Sequence, residues 1–189
     1  MATGARNLQR TARTYLAAID KHNGKIGAIL TKLDGSTGRS TSGGRVMAET
    51  ATGGTGGCLC GAVRYRYEGE PTAVGLCQCD RCQRQSGSAF LIGVVFPREA
   101  VSIEGKLASY EATVSGQRLQ RHFCPVCGSA VSITLERYPE IRSMMGGTLD
   151  DRRKIKPTFS IWCSSGQGWL KLPESIVCYP EYPEGTFGG

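Results

Sequence analysis

Three observations in the sequence predict a mainly β domain carried behind an N-terminal extension. After Gly57, short runs alternate apolar and polar residues, as Val63, Tyr65 and Tyr67 do with Arg64 and Arg66. Over the same span no helical period continues beyond about three turns. Before it, residues 35–57 are rich in Gly, Ser and Thr and end in Gly53-Gly54-Thr55-Gly56-Gly57, the composition of a flexible linker. The 189 residues therefore divide into an extension over 1–53, a domain over 54–184 and a short tail over 185–189.

The elements follow in order. Residues 8–32 read as helical, because Leu8, Tyr15, Leu16, Ile19, Ile26, Ile29 and Leu30 recur at three- and four-residue steps with a break at Asn23-Gly24. Arg6, Arg10 and Arg13 without an early acid leave two readings of this leader, an organelle-import segment or an appended helix without address function. The segment from Arg13 to Lys32 also resembles the first helix of amidase-family enzymes, but no amidase motif follows and no role carries over. In the domain, the apolar run Ala89–Phe96, closed by Pro97, reads as a buried strand. Val101–Ile103 and Leu107–Ala112 read as a hairpin across Glu104-Gly105-Lys106. Arg118–Phe123, Ala130–Leu135 and Thr158–Cys163 complete the strands, with a short helix expected within Pro139–Met145 or at Asp150-Asp151.

Charge and apolar content narrow the classes. The net charge of +7 is concentrated in residues 1–50, with eight Lys and Arg against three acids, so the domain itself is near balance and a nucleic-acid partner is not expected. No apolar run of about 18 residues exists, so no membrane-spanning helix is expected. Nine cysteines without an apolar signal core, seven of them at C-x-C or C-x-x-C spacing, point to metal-bound thiolates in a reducing, cytoplasmic setting.

Those spacings partition the sulfurs. Cys124-Pro125-Val126-Cys127-Gly128 is a zinc-knuckle sequence, and Cys58-Leu59-Cys60-Gly61 is its shortened counterpart; each precedes a β run. Two facing knuckles would close a tetrahedron of four thiolates, a structural site. Cys77-Gln78-Cys79-Asp80-Arg81-Cys82 then holds three sulfurs, and a three-ligand zinc keeps one position open for chemistry. An alternative has Cys163 as fourth ligand of this middle cluster, making both sites structural. Otherwise Cys163 and Cys178 read as small buried apolar residues.

Residues 54–184 also resemble the glutathione-dependent formaldehyde-activating enzyme family, which includes centromere protein V. The resemblance is carried by Gly57–Val63, Cys77–Phe90, Arg121–Ser129, Gly147–Asp150, and Lys156-Pro157-Thr158 with Ile161-Trp162. It implies a β-tent of small antiparallel sheets stapled by two Zn²⁺ ions per chain. Cys58, Cys60, Cys124 and Cys127 would hold the structural zinc, and Cys77, Cys79 and Cys82 the catalytic one. The implied activity is carbon–sulfur bond chemistry, condensing glutathione with formaldehyde. Two positions depart from the family pattern, where many members have histidine and this chain has Gln78 and Ser160. Neither is an expected ligand, but both bear on the lining of the site.

An enzyme of this kind needs cationic anchors for the carboxylates of its thiol, and Arg81, Arg84 and Arg121 are the candidates. His122, the one histidine of the domain, would shuttle a proton or, more simply, brace the neighbouring knuckle. The expected partners are a small thiol and an aldehyde. The competing reading is a non-catalytic zinc-stapled β module that binds a protein or nucleic acid.

Overall fold

The computed structural model describes residues 52–114 and 116–183; the leader helix, the import segment, most of the expected linker and the tail over 185–189 lie outside them. Among the described residues, eleven strands and one short α-helix run in the order β1 (Gly53–Gly57), β2 (Arg64–Glu68), β3 (Ala73–Cys77), α1 (Asp80–Ser86), β4 (Leu91–Pro97), β5 (Val101–Glu104), β6 (Ala108–Val114), β7 (Gln117–Phe123), β8 (Ala130–Leu135), β9 (Tyr138–Met145), β10 (Phe159–Ile161) and β11 (Val177–Cys178). They form a three-stranded sheet in the order β1-β2-β5 and an eight-stranded sheet in the order β11-β10-β3-β4-β9-β8-β7-β6. Pairing is antiparallel except at β10, which runs parallel to β3 and β11. The mainly β expectation is met.

Tyr65 and Tyr67 alternate inward along β2 between exposed arginines, as the sequence pattern requires. The Tyr67 and Phe96 ring centroids lie 4.6 Å apart, and Val63, Val94, Val131 and Met144 fill the space around them. Cys58 and Cys124 belong to this same buried cluster, so the first cysteine set is built into the main core. A smaller cluster of Cys82, Leu91 and Met145 lies beneath the second set.

Four local expectations are corrected. Gly53–Gly57, expected as the end of a linker, forms β1, antiparallel to β2. The glycines are required by close approach rather than by looseness: a Cβ on Gly54 would meet the Tyr67 hydroxyl, and one on Gly56 the Tyr65 ring. The hairpin expected between Val101–Ile103 and Leu107–Ala112 does not form. β5 pairs instead with β2, placing Ile103 opposite Tyr65, while β6 pairs with β7 in the other sheet. Burial decided this, because both inward positions of β5 find partners on β2.

Pro139–Met145, expected to include a short helix, lies in β9, whose Met144 pairs with Val94 on one side and Ser132 on the other. The short helical turns fall just after it, at Gly146–Thr148 and Arg152–Lys154. The strand expected over Thr158–Cys163 shortens to β10, because Trp162 takes a left-handed conformation with φ of 59° and turns the chain.

Candidate metal centres and an adjoining cavity

The first centre joins two turns distant in sequence. Gly61 and Gly128 both have positive φ, 80° and 73°, the conformation that closes each knuckle. Gly128 N–H donates to the Cys124 carbonyl at 2.9 Å, and Gly61 N–H to that of Cys58 at 3.2 Å. The Val63 amide donates to Cys58 Sγ at 3.2 Å, and Ser129 Oγ lies 3.2 Å from Cys127 Sγ. The Leu59 amide also donates to Ser129 Oγ at 3.1 Å, tying one knuckle to the other. The four sulfurs of Cys58, Cys60, Cys124 and Cys127 lie within 4.8 Å of one another. The Ser129 hydroxyl and amide pull the Cys127 thiol down to about 5, which readies it as a thiolate ligand.

The second centre is organised by α1. Cys79 is its N-cap and Cys82 sits one turn on, so both sulfurs face one side with Cys77 at the end of β3. Asp80 favours the first turn, and Gly87, left-handed with φ of 61°, ends the helix by donating to the Gln83 carbonyl. The sulfurs of Cys77, Cys79 and Cys82 also lie within 4.8 Å of one another. Hydrogen bonds from Cys77 and Cys82 pull Cys79 down to about 2, while Cys77 is pushed up by the same sharing and by burial. Three sulfurs held this close are arranged to share a soft cation, to which they would bind as thiolates.

Sulfur spacing fits a tetrahedral soft ion. A Zn–S bond of about 2.3 Å places neighbouring sulfurs about 3.8 Å apart. The structure has 3.6 Å between Cys58 and Cys60, 3.8 Å between Cys60 and Cys124, and 3.5 Å between Cys77 and Cys79. Among the described residues no fourth Cys, His or carboxylate completes the second set. Cys163 does not close it: its sulfur is paired with Cys178 in a disulfide. The same pairing overturns the reading of Cys163 and Cys178 as buried apolar residues, since Cys178 is exposed. That disulfide was illegible because the two residues are 15 apart and meet only when β11 lies beside β10.

Cys77, Cys79 and Cys82 line a chamber of about 130 Å³ whose walls are otherwise mostly aliphatic. Arg81 and Arg121 line it too, and both also line an outer groove of about 710 Å³ that adds Arg84. Arg81 is exposed and donates from Nη1 to the Thr113 carbonyl at 2.9 Å. Arg121 is buried, only 8% exposed, and its Nη1 has no hydrogen-bond partner among the described residues. Sharing with Cys77 pulls the Cys82 thiol down, but sharing with Cys79 and burial outweigh it and push the thiol up to about 11, with the Arg121 charge opposing them.

The remaining candidate, His122, is not brought to this site. As the neighbour of Arg121 on β7 it faces the other side of the sheet, with Nε2 3.0 Å from Thr134 Oγ1. Burial and the charges of Arg142 and Arg98 lower its pKa. Its bracing contact is thus to β8, by way of Thr134.

Gln78 and Ser160 turn out to be one feature. Both are buried, and Gln78 Nε2 donates to Ser160 Oγ at 2.9 Å and lies 3.3 Å from Cys163 Sγ. Neither lines the chamber; they form a polar link between the cysteine loop and β10. Gln83 extends the link, donating from Nε2 to the Gln78 carbonyl at 2.6 Å and to the Ser165 carbonyl at 2.9 Å. Gln83 was not singled out from sequence, because a helix-surface glutamine carries no signal of its own.

A Halomonas elongata protein named after the glutathione-dependent formaldehyde-activating enzymes is 25% identical over 138 residues, covering 68% of this chain and 88% of its own length. A crystal structure of a Rhodobacter sphaeroides protein aligns with a TM-score of 0.42 at 20% identity, covering 51% of this chain and 88% of that one. The family model described as glutathione-dependent formaldehyde-activating enzyme matches residues 54–165, more than half of the chain. The chain therefore belongs to the glutathione-dependent formaldehyde-activating enzyme family.

Proposed function

We propose that this protein is a zinc-dependent carbon–sulfur lyase that makes and breaks adducts between glutathione and formaldehyde or a related aldehyde. The observation that carries the reading is the second cysteine set, three sulfurs without a fourth ligand among the described residues, opening into a chamber shared with two arginines. Cys58, Cys60, Cys124 and Cys127 would hold one zinc as a structural staple, and Cys77, Cys79 and Cys82 the second. When bound there, zinc supplies a cationic position that favours the thiolate form of an incoming thiol.

The chain's own residues do the rest. Arg84 and Arg81 in the outer groove hold the carboxylates of glutathione. The mostly apolar walls limit hydration, so reactants meet at short range and the Arg121 charge acts with reduced screening. In the forward direction a C–S bond forms, the carbonyl π pair moves to oxygen, and the thiol proton ends on that oxygen. The reverse step breaks the same C–S bond. His122 takes no part, since it lies on the other face of β7.

The test is zinc content together with exchange between glutathione, formaldehyde and their adduct, followed by NMR. Two zinc ions per chain and accelerated exchange are expected, with exchange lost in Cys79→Ser while the fold persists. Absence of acceleration at every protein concentration would contradict the reading.

A further inference from the structure

The chamber is larger and more apolar than formaldehyde requires. Its volume of about 130 Å³ is walled by residues such as Leu76, Leu119, Ile133, Leu135, Phe159 and Ile161. An enclosed cavity of roughly 150 Å³ lined by Leu, Ile and Phe takes up benzene, and this chamber, open on one side, offers a similar volume between mostly apolar walls. Formaldehyde has no apolar body to place there. Glutathione as a whole does not suit it either, because its several amides and two carboxylates would lose more water than the few donors of the chamber replace. They find partners outside, in the groove lined by Arg81, Arg84 and Arg121.

The chamber's polar features are confined to a few groups. One is the set of three sulfurs. Another is Arg121, more than nine-tenths buried, with an Nη1 donor that has no partner among the described residues. A buried guanidinium donor without an acceptor is costly and calls for an oxygen from a ligand. An aldehyde supplies it, and the oxygen becomes more negative as the thiol sulfur adds to the carbonyl carbon.

We propose that this chamber binds the body of an apolar aldehyde, aliphatic or aromatic and of roughly four to seven carbons, with its carbonyl oxygen on Arg121 Nη1. The inference rests on the thiol–aldehyde reading above and names its second substrate. The reaction is R–SH + R′–CHO giving R–S–CH(OH)–R′. One C–S bond forms, the carbonyl π bond opens, the S–H proton finishes on oxygen, and no electrons are exchanged with a third reactant.

The test uses the full zinc-loaded chain with two readouts. In the first, pentan-1-ol, which cannot react, is titrated while the methyl NMR signals of Ile133 and Ile161 are followed. Saturable shifts are expected, and Leu119→Trp, which fills the chamber from a half-buried position, is expected to abolish them while two zinc ions remain bound. In the second, kcat/KM with glutathione is compared from acetaldehyde to pentanal, whose carbonyls are alike in reactivity, with formaldehyde assayed beside them. It is expected to rise roughly fourfold for each methylene withdrawn from water, until the chamber is full. Arg121→Gln is expected to lower kcat with pentanal by 10² or more, as for loss of an oxyanion donor.

Adduct formation from formaldehyde alone, with no shift of the chamber methyls, overturns the chamber assignment and leaves the thiol–aldehyde reading standing. Methyl shifts without adduct from any aldehyde overturn that reading, and with it the aldehyde as occupant.

Discussion

Arg121 and His122 are chain neighbours with opposite fates, and the alternation of β7 separates them. Arg121 turns inward to the sulfurs without a hydrogen-bond partner for Nη1 among the described residues, whereas His122 turns to Thr134. Replacing Arg121 by Gln removes a desolvated charge, so thermal stability should be retained or raised even as activity falls. Thermal melts of the zinc-loaded variant beside its kinetics check this. Thr134→Ala should leave glutathione exchange unchanged, a direct check that His122 stands outside the reaction. Asp150 offers a pH test. Arg64 and Thr55 lower its pKa, so its contribution is present above the ordinary carboxylate range and is lost as pH falls through the lower, folded value. The urea midpoint of Asp150→Asn should therefore lie below that of the parent near neutral pH, and the gap should close on acidification below about pH 4. The cysteines were legible in sequence because their ligand geometry is local. The burial of Arg121 was not, because it depends on the sheet and on α1, which pack around it from distant segments.

At the scale of the element, β1 and β9 show where pattern reading fails and why. A run of glycines has the composition of a linker, yet here it is the strand that passes beneath the Tyr65 and Tyr67 side chains. Gly56→Val should collide with the Tyr65 ring and the Thr148 carbonyl and cost about 2 kcal/mol or more, measured as a shift in urea unfolding. The residues of β9 lack clean alternation because this strand lies between β4 and β8, inside the larger sheet. β2, β7 and β8 were legible, since each has a period of two. The disposition of β5 was not: whether a strand pairs with its sequence neighbour or with a distant one is settled by which face needs covering. α1 spans only two turns and left no periodic trace, but the cysteines at its start mark where it must be.

For the whole molecule, the proposed function has the two cysteine sets divide support from chemistry. The first reaches the core through Cys58 and Cys124, beside Tyr65, Phe96 and Val131, and ties β2 to β8 through their leading knuckles. The second lies against a smaller cluster and lines the chamber beside the arginine groove. Metal in the first set is folding free energy, so exhaustive chelation should unfold the domain, seen as loss of near-ultraviolet circular dichroism. Partial chelation should remove activity first, because the second set offers three ligands and the first offers four. The fold class and the grouping of the sulfurs were legible before the structure. The chamber was not, because its walls come from seven strands, α1 and the segment at Tyr182, which meet only in three dimensions.

The division of labour is tested most directly by native mass spectrometry and urea unfolding of two single variants, Cys82→Ser and Cys124→Ser. Cys82→Ser is expected to retain one zinc, stay folded and lose glutathione exchange, whereas Cys124→Ser is expected to unfold. Equal destabilisation by the two substitutions, or full activity in Cys82→Ser, would contradict the assignment of separate roles to the two clusters.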